Sequence, residues 1–90
     1  MSDQHYVYVL KCKDGTYYTG YTTDICKRIK VHENGKGAKY TRGRGPFSLV
    51  YEQCLTTKSD ALKRERQIKA LKRKEKEQLI QTWREANPDE

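Results

Sequence analysis

Arg28 and His32 stand four residues apart in a segment whose apolar residues, Ile25 and Ile29, repeat at helical spacing. Both side chains therefore belong to one face of the predicted helix and can point into one cleft. The guanidinium of an arginine can bind phosphate oxygens with two parallel hydrogen bonds and can oppose negative charge in a transition state. Either residue alone would be read as part of a solvated helix face, but the pair favours a site that handles phosphate.

Two tyrosine-bearing segments, Tyr6-Val7-Tyr8 and Tyr18-Thr19-Gly20, precede this helix and flank a Lys13-Asp14-Gly15 turn. Both are dense in β-branched and aromatic residues, and Asp-Gly between such runs is a hairpin signal. We therefore predict two antiparallel strands over residues 5–12 and 16–22. Each tyrosine taken singly is also an ordinary residue of a half-buried strand.

The type of turn decides which hairpin residues face each other. A two-residue loop would pair Cys12 with Tyr17, whereas a type I turn with Gly15 in the left-handed region would pair Cys12 with Thr16. We predict the second, bulged register. It places Tyr8 diagonally across from Tyr18 on one face of the sheet, where the two hydroxyls could share a site.

Glu65 is the acidic residue of most interest, because it shares a helix face with Ala61 and Ile68 that should meet the sheet. Burial of a carboxylate without a partner is costly. A divalent cation or an arginine would offset that cost, and a carboxylate oxygen suits Mg²⁺ or Mn²⁺. The alternative is an ion pair with a neighbouring basic side chain of the helix: Arg64, Arg66 or Lys69.

Length and charge set the class of protein. The 90 residues predict one domain over residues 1–90, and a formal charge of +7 attracts phosphate polyanions. The three cysteines form no Cys-x-x-Cys pair, which argues against a disulfide framework and a zinc ribbon. With no apolar stretch long enough for a signal peptide or a membrane span, we expect a cytoplasmic protein that does not contact membrane.

The remaining pattern predicts a helix capped near Asp24 and stopped at Gly35, a loop over residues 36–46, a strand over residues 47–55 and helix over residues 60–86. One long helix and two shorter ones both fit the last segment. The apolar residues Leu79, Ile80 and Trp83 are interpreted as closing the core rather than as a docking face for a protein partner. The fold class is α+β, with a small antiparallel sheet that carries helices.

These motifs in this order resemble the GIY-YIG nuclease superfamily, and in particular its small stand-alone bacterial members. The resemblance covers nearly the whole chain and implies a three-stranded antiparallel sheet flanked by helices. It implies hydrolysis of DNA phosphodiester bonds with one divalent ion, Mg²⁺ or Mn²⁺. Carried over residue by residue, the catalytic positions fall on Tyr8, Tyr18, Arg28 and His32, and the metal-binding glutamate falls on Glu65.

The chain departs from the family pattern at three positions. Tyr6 replaces the opening glycine, Thr19 replaces the isoleucine of the second motif, and Tyr21 stands where many members have a lysine. These departures bear on catalytic rate more than on fold. Lys27 or Lys30 would compensate for the missing lysine.

Substrate capture is expected to depend on basic and aromatic side chains that contact phosphates and unpaired bases. The predicted nucleic-acid-binding residues are Lys27, Lys36, Lys39, Tyr40, Arg42 and Arg44. The basic helix over residues 63–76 is a second candidate surface, and a solvated charged face explains it almost as well. With no appended readout module, structure-selective cutting is expected rather than sequence-specific cutting.

Two classes of function stay open. One is the endonuclease, with DNA favoured over RNA as substrate, acting as a monomer or weak dimer and with room for a protein partner. The other is a nucleic-acid-binding module, for DNA or RNA, that retains the fold and cleaves nothing. A requirement for Glu65 and a divalent ion separates the two classes.

Overall fold

The computed structural model describes residues 4–35, Gly43 and residues 45–87. Its elements are three strands and three helices: β1 (His5–Lys11), β2 (Tyr17–Thr22), α1 (Ile25–Glu33), β3 (Ser48–Leu55), α2 (Lys58–Ala70) and α3 (Arg73–Ala86). The strands form one antiparallel sheet in the order β2-β1-β3, so the first strand lies in the middle. The predicted α+β class with a three-stranded sheet is confirmed. No helix in the described ranges is long and apolar enough to cross a membrane.

The β1–β2 turn adopts the bulged register. The Cys12 N–H donates to the Thr16 carbonyl at 2.8 Å, and Gly15 has a φ of 86°, in the left-handed region that favours glycine. Leu10 consequently faces Tyr18, and Tyr8 faces Gly20. The predicted register is confirmed, and Tyr8 and Tyr18 share one face of the sheet.

The opposite face of the sheet carries the larger apolar core. Val7 and Val9 of β1 and Tyr51 of β3 are buried there against Ala61 and Ile68 of α2, while Leu79, Ile80 and Trp83 of α3 complete the cluster. The Tyr51 and Trp83 rings lie 6.2 Å apart, centre to centre. The α3 stripe therefore packs into the core, as interpreted from the sequence.

Side-chain caps fix where the helices begin. The Asp24 carboxylate accepts a hydrogen bond from the Lys27 N–H at 3.1 Å, and the Thr57 hydroxyl accepts one from the Asp60 N–H at 3.1 Å. At the end of α1, Gly35 has a φ of 74° and its N–H donates to the His32 carbonyl. These caps set the start of the two helices that flank the sheet.

The final helical segment is two helices, with Leu71 and Lys72 in extended conformation between them. The Glu75 carboxylate accepts a hydrogen bond from the Lys72 N–H at 2.8 Å and so caps α3. Ile68 and Ile80 would lie about 120° apart around one continuous helix. The break allows both side chains to enter the same core.

Gly20 is the position in β2 where a side chain cannot fit. A Cβ atom there would lie 2.5 Å from the hydroxyl oxygen of Tyr8 and 2.6 Å from its Cζ atom. Because Tyr8 is 1% exposed, its ring has little room to withdraw. The absence of a side chain at Gly20 is therefore what allows the Tyr8 ring to lie across β2.

Gly20→Ala is expected to destabilise the fold by about 1–3 kcal/mol through overpacking, lowering the melting temperature by several degrees. Thermal unfolding followed by circular dichroism measures the change. Thr23→Ala, at an exposed site three residues away, is the control and should leave the melting temperature nearly unchanged. A Gly20→Ala protein as stable as the parent would contradict the close contact with Tyr8.

Candidate active site

A hydrogen bond between Tyr8 of β1 and His32 of α1 forms the centre of the site. The Tyr8 hydroxyl oxygen lies 2.9 Å from His32 Nε2, and each residue is only 1% exposed. His32 is buried although it sits near the exposed end of α1, since its ring reaches back to the sheet. A helix residue and a strand residue are thus joined by a buried polar contact, which fixes the position of both side chains.

Aromatic rings enclose this hydrogen bond. The Tyr18 ring lies 5.2 Å from the His32 ring and 6.4 Å from the Tyr8 ring, measured between ring centres. Phe47, just before β3, meets the edge of the His32 ring at 6.0 Å. These contacts hold the imidazole in a single orientation and limit access of water to it.

Arg28 lies one helical turn before His32, and its guanidinium is close enough to the Tyr8 hydroxyl to oppose the rise in the pKa of that group. Its Nε atom is buried and has no hydrogen-bond partner among the described residues. An unpaired buried guanidinium N–H costs free energy in the folded protein. A bound anion, such as a phosphate oxygen, would remove that cost.

Burial keeps Tyr8 and His32 uncharged. Loss of hydration raises the pKa of Tyr8 to about 12, with the charges of Tyr18 and Glu65 adding to the rise and Arg28 opposing it. Burial, and then the positive charge of Arg28, lower the pKa of His32 below its usual 6.5. At neutral pH the site therefore contains a neutral phenol beside a neutral imidazole.

The three side chains define a direction for the proton. Because the positive charge of Arg28 lies near the Tyr8 oxygen, the hydroxyl hydrogen is expected to point away from it and is assigned to the bond with His32 Nε2. In this assignment Nε2 is the acceptor and the other ring nitrogen carries the imidazole proton. When the Tyr8 oxygen accepts a proton from a group outside the protein, the hydrogen of its own hydroxyl can move to His32 Nε2.

Glu65 lies on α2 between the buried residues Ala61 and Ile68, with its side chain 18% exposed. Lys69 Nζ approaches its carboxylate at 3.2 Å, so one of the ion pairs weighed from the sequence does form. The negative charge of Glu65 is close enough to raise the pKa of Tyr8. This places the carboxylate in the electrostatic surroundings of the Tyr8–His32 pair.

The described surroundings of Glu65 offer few protein ligands for a divalent ion. Among the described residues no group of three or more histidine, cysteine, aspartate and glutamate side chains could surround a metal. One half-buried carboxylate nevertheless fits Mg²⁺, which commonly retains several waters and takes one or two protein carboxylates together with substrate phosphate. Lys69, whose side chain is 54% exposed, has the room to move away from Glu65.

The structure thus brings Tyr8, Tyr18, Arg28 and His32 together, with Glu65 acting on the same site through its charge. Lys27 is exposed on α1 beside Arg28 and lines a shallow groove with it. The other predicted nucleic-acid-binding residues lie outside the described residues: Lys36, Lys39, Tyr40, Arg42 and Arg44.

Two residues of the site were not assigned a role from the sequence. Gly20 leaves the space that the Tyr8 ring occupies, and Phe47 packs on His32. Gly20 carried a signal, because it closes the second tyrosine motif. Phe47 carried none, since its contact with His32 depends on how the chain enters β3.

A family model described as the GIY-YIG catalytic domain matches residues 4–78. The UPF0213 protein BH0048 of Halalkalibacterium halodurans is 59% identical over 76 residues, which cover 84% of this chain and 81% of that protein. The UPF0213 protein HQ_3675A of Haloquadratum walsbyi is 49% identical over 87 residues, which cover 97% of this chain and 98% of that protein. Similar chains therefore occur in both bacteria and archaea.

Two solution NMR structures have the same fold. The UPF0213 protein BH0048 from Bacillus halodurans superposes with a TM-score of 0.59 at 57% identity, covering 88% of this chain and 84% of that one. The protein EF2693 from E. faecalis superposes with a TM-score of 0.62 at 44% identity, with the same coverage of 88% and 84%. Motif positions, fold and close relatives agree, and the chain belongs to the GIY-YIG catalytic domain family, among its small UPF0213 proteins.

Proposed function

We propose that the protein is a metal-dependent endonuclease that hydrolyses phosphodiester bonds of DNA. The observation that carries the proposal is the buried Tyr8–His32 hydrogen bond beside an Arg28 whose Nε has no partner in the described structure. Such an arrangement supplies a proton path and a cation in one place. Membership of the GIY-YIG catalytic domain family supports a nuclease.

Arg28 has the role of holding the scissile phosphate. Its guanidinium binds the non-bridging oxygens and opposes the charge that builds up on them as water attacks phosphorus. Because the site is largely buried, this interaction is stronger than it would be in open solvent. Tyr18 packs beside His32 and Tyr8 and orients the acceptor for the proton of the water.

Tyr8 and His32 have the role of removing that proton. With a pKa raised to about 12, Tyr8 is neutral and is a poor base by itself. The water proton passes to the Tyr8 oxygen as the Tyr8 hydrogen passes to His32 Nε2, so Tyr8 stays neutral throughout and His32 takes the charge. The lowered pKa of His32 keeps Nε2 free to accept at neutral pH.

Glu65 is the residue that would hold a divalent ion, Mg²⁺ or Mn²⁺, with solvent and substrate completing the shell. When bound, the ion supplies positive charge to the phosphate and to the leaving oxygen. Lys69 holds the carboxylate in place without the ion. In this proposal Lys69 and the metal ion are alternative partners of the carboxylate.

The proposed substrates are branched or single-stranded DNA, cut without sequence preference, by a single-domain protein of the cytoplasm. Lys27 and the basic residues of segment 36–44 contribute phosphate contacts, which carry no sequence information. The alternative, a binding module without catalysis, is favoured by one observation. Glu65 already has a basic partner in Lys69, and an ion pair satisfies a carboxylate without metal.

The first experiment incubates the protein with labelled single-stranded, duplex and branched DNA, and with RNA, in Mg²⁺, Mn²⁺ or chelator. We expect cleavage of DNA that requires the divalent ion. Binding without cleavage under every condition would replace the endonuclease by the binding module. Cleavage of RNA alone would change the substrate class.

Glu65→Gln keeps the shape of the side chain and removes the charge that would hold the ion. We expect cleavage to fall by at least about 10²-fold, with DNA binding in chelator retained. Glu77→Gln is the matched control, because Glu77 is also paired at i,i+4, with Arg73 at 3.1 Å, on α3. Equal activity of the two variants would remove Glu65 from the mechanism.

Tyr8→Phe keeps the ring and removes the hydroxyl that carries the proton. Cleavage is expected to drop by about 10²- to 10⁴-fold, the usual contribution of a positioned proton-transfer group, while DNA affinity is unchanged. Tyr51→Phe is the control: Tyr51 is 6% exposed and its hydroxyl donates to Gln53 at 2.7 Å on the other side of the sheet. A Tyr8→Phe protein with full activity would refute the relay.

The lowered pKa of His32 predicts how activity and stability depend on pH. Below pH 6.5 the unfolded chain binds a proton at this residue before the folded protein does, so stability should fall as pH drops through the lowered pKa. Cleavage should fall over the same range, because protonated His32 cannot accept from Tyr8. Melting temperature and kcat/KM measured from pH 5 to 8 test both.

His32→Gln should remove this stability loss and abolish the acid limb of any residual activity. An acid limb centred above pH 6.5, or one that persists in His32→Gln, would assign the limb to another group.

A further inference from the structure

A second group of basic and aromatic residues lies beside the site, and three of its members, Tyr17, Thr19 and Lys76, have no role in the mechanism above. A groove runs between the outer side of β2 and the corner where α2 meets α3, and its lining consists of Tyr17, Tyr18, Thr19, Lys69 and Lys76. Since β2 is an edge strand, the N–H groups on its outer side have no strand partner in the described sheet. The groove thus combines cations, aromatic rings and the backbone of an edge strand.

The basic side chains in and beside the groove differ in whether they already pair with an acidic side chain. Arg73, next to it, stacks over the Tyr17 ring at 5.0 Å and donates to the Gly15 carbonyl at 3.1 Å. Arg73 also pairs with Glu77, so its charge is neutralised. Lys76 forms no ion pair within the described ranges, which leaves its charge available to an outside anion.

Thr19 contributes an unsatisfied polar group. It is 4% exposed, and its hydroxyl oxygen has no hydrogen-bond partner among the described residues. The sequence pattern of the family places isoleucine here, and an apolar residue would leave nothing to satisfy. A buried hydroxyl without a partner calls for an explanation, and a polar group bound in the groove would supply one.

The groove is continuous with the site. Tyr18 lines it and also packs against Tyr8 and His32, and Lys69 lines it and also pairs with Glu65. A polyanion held at the site would therefore extend along this path. The groove by itself connects the site with the α2–α3 corner, so it is sufficient as a path for a sugar-phosphate backbone.

We infer that this groove binds the sugar-phosphate backbone of the nucleic-acid strand that enters the site, with Lys76 as its principal phosphate contact. The inference extends the proposed function, on which it rests for the position of the scissile phosphate. Lys76 contacts a phosphate that flanks it, and Lys69 contacts one when it leaves Glu65. Backbone contacts of this kind position the strand and read no sequence.

The test compares Lys76→Gln with Lys74→Gln, which removes the same charge from an exposed position of α3 outside the groove. Affinity for a fluorescein-labelled single-stranded DNA is measured by anisotropy in chelator over a range of salt concentrations. Loss of one phosphate contact should reduce the salt slope by about 0.7 and weaken binding about fivefold at 0.1 M salt for Lys76→Gln. Lys74→Gln should change both by much less.

Equal effects of the two substitutions would show a general effect of net charge and would contradict the inference that the groove binds the strand. A protein that binds no DNA at all would contradict it as well. Because chelator prevents metal-dependent cleavage, the binding experiment tests the groove separately from the proposed nuclease activity. If DNA binding depends on Lys76 but no cleavage occurs in the presence of metal, the groove is supported and the proposed nuclease activity is contradicted. If the parent and Lys76→Gln cleave DNA equally well, the nuclease activity is supported and the groove is contradicted.

Discussion

The Tyr8 hydroxyl reaches α1 because the strand beside it has no side chain at Gly20. That pairing is set by the turn, where Gly15 takes a left-handed conformation and Cys12 pairs with Thr16. A slip of one residue would bring a threonine or a tyrosine opposite Tyr8 and close the space. The site therefore depends on backbone geometry at the far end of the hairpin as well as on its polar side chains.

The two faces of the sheet bury side chains of different kinds. On one face, Val7 and Val9 pack with α2 and α3 and supply most of the apolar burial. On the other, Tyr8 and His32 are just as buried but are polar, and the nearby Arg28 Nε has no partner among the described residues. A small protein has little stability to spare. The burial of apolar side chains on the first face offsets the cost of burying polar groups on the second.

The sequence predicted much of this arrangement, because its signals were local. The turn chemistry at Asp14-Gly15 gave the register, and Asp24 gave the start of α1. Spacing on one helix face brought Arg28 and His32 together. The assignment of Glu65 to a metal stays a prediction.

What the sequence did not predict depends on contacts between distant segments. The break at Leu71 and Lys72 has no glycine or proline to mark it, and it follows from the need to bury Ile68 and Ile80 in one core. The bond from Tyr8 to His32 and the contact of Phe47 with His32 require the positions of α1 and β3 over the sheet. Such distances cannot be obtained from periodicity.

The strand order has a consequence for how the chain is made. β1 is the central strand, yet its partner β3 begins at Ser48, so during synthesis the hairpin of β1 and β2 emerges with one long side of β1 open. An open edge rich in valine and tyrosine is a template for pairing with other chains. That edge is covered only when β3, which ends at Leu55, pairs with β1.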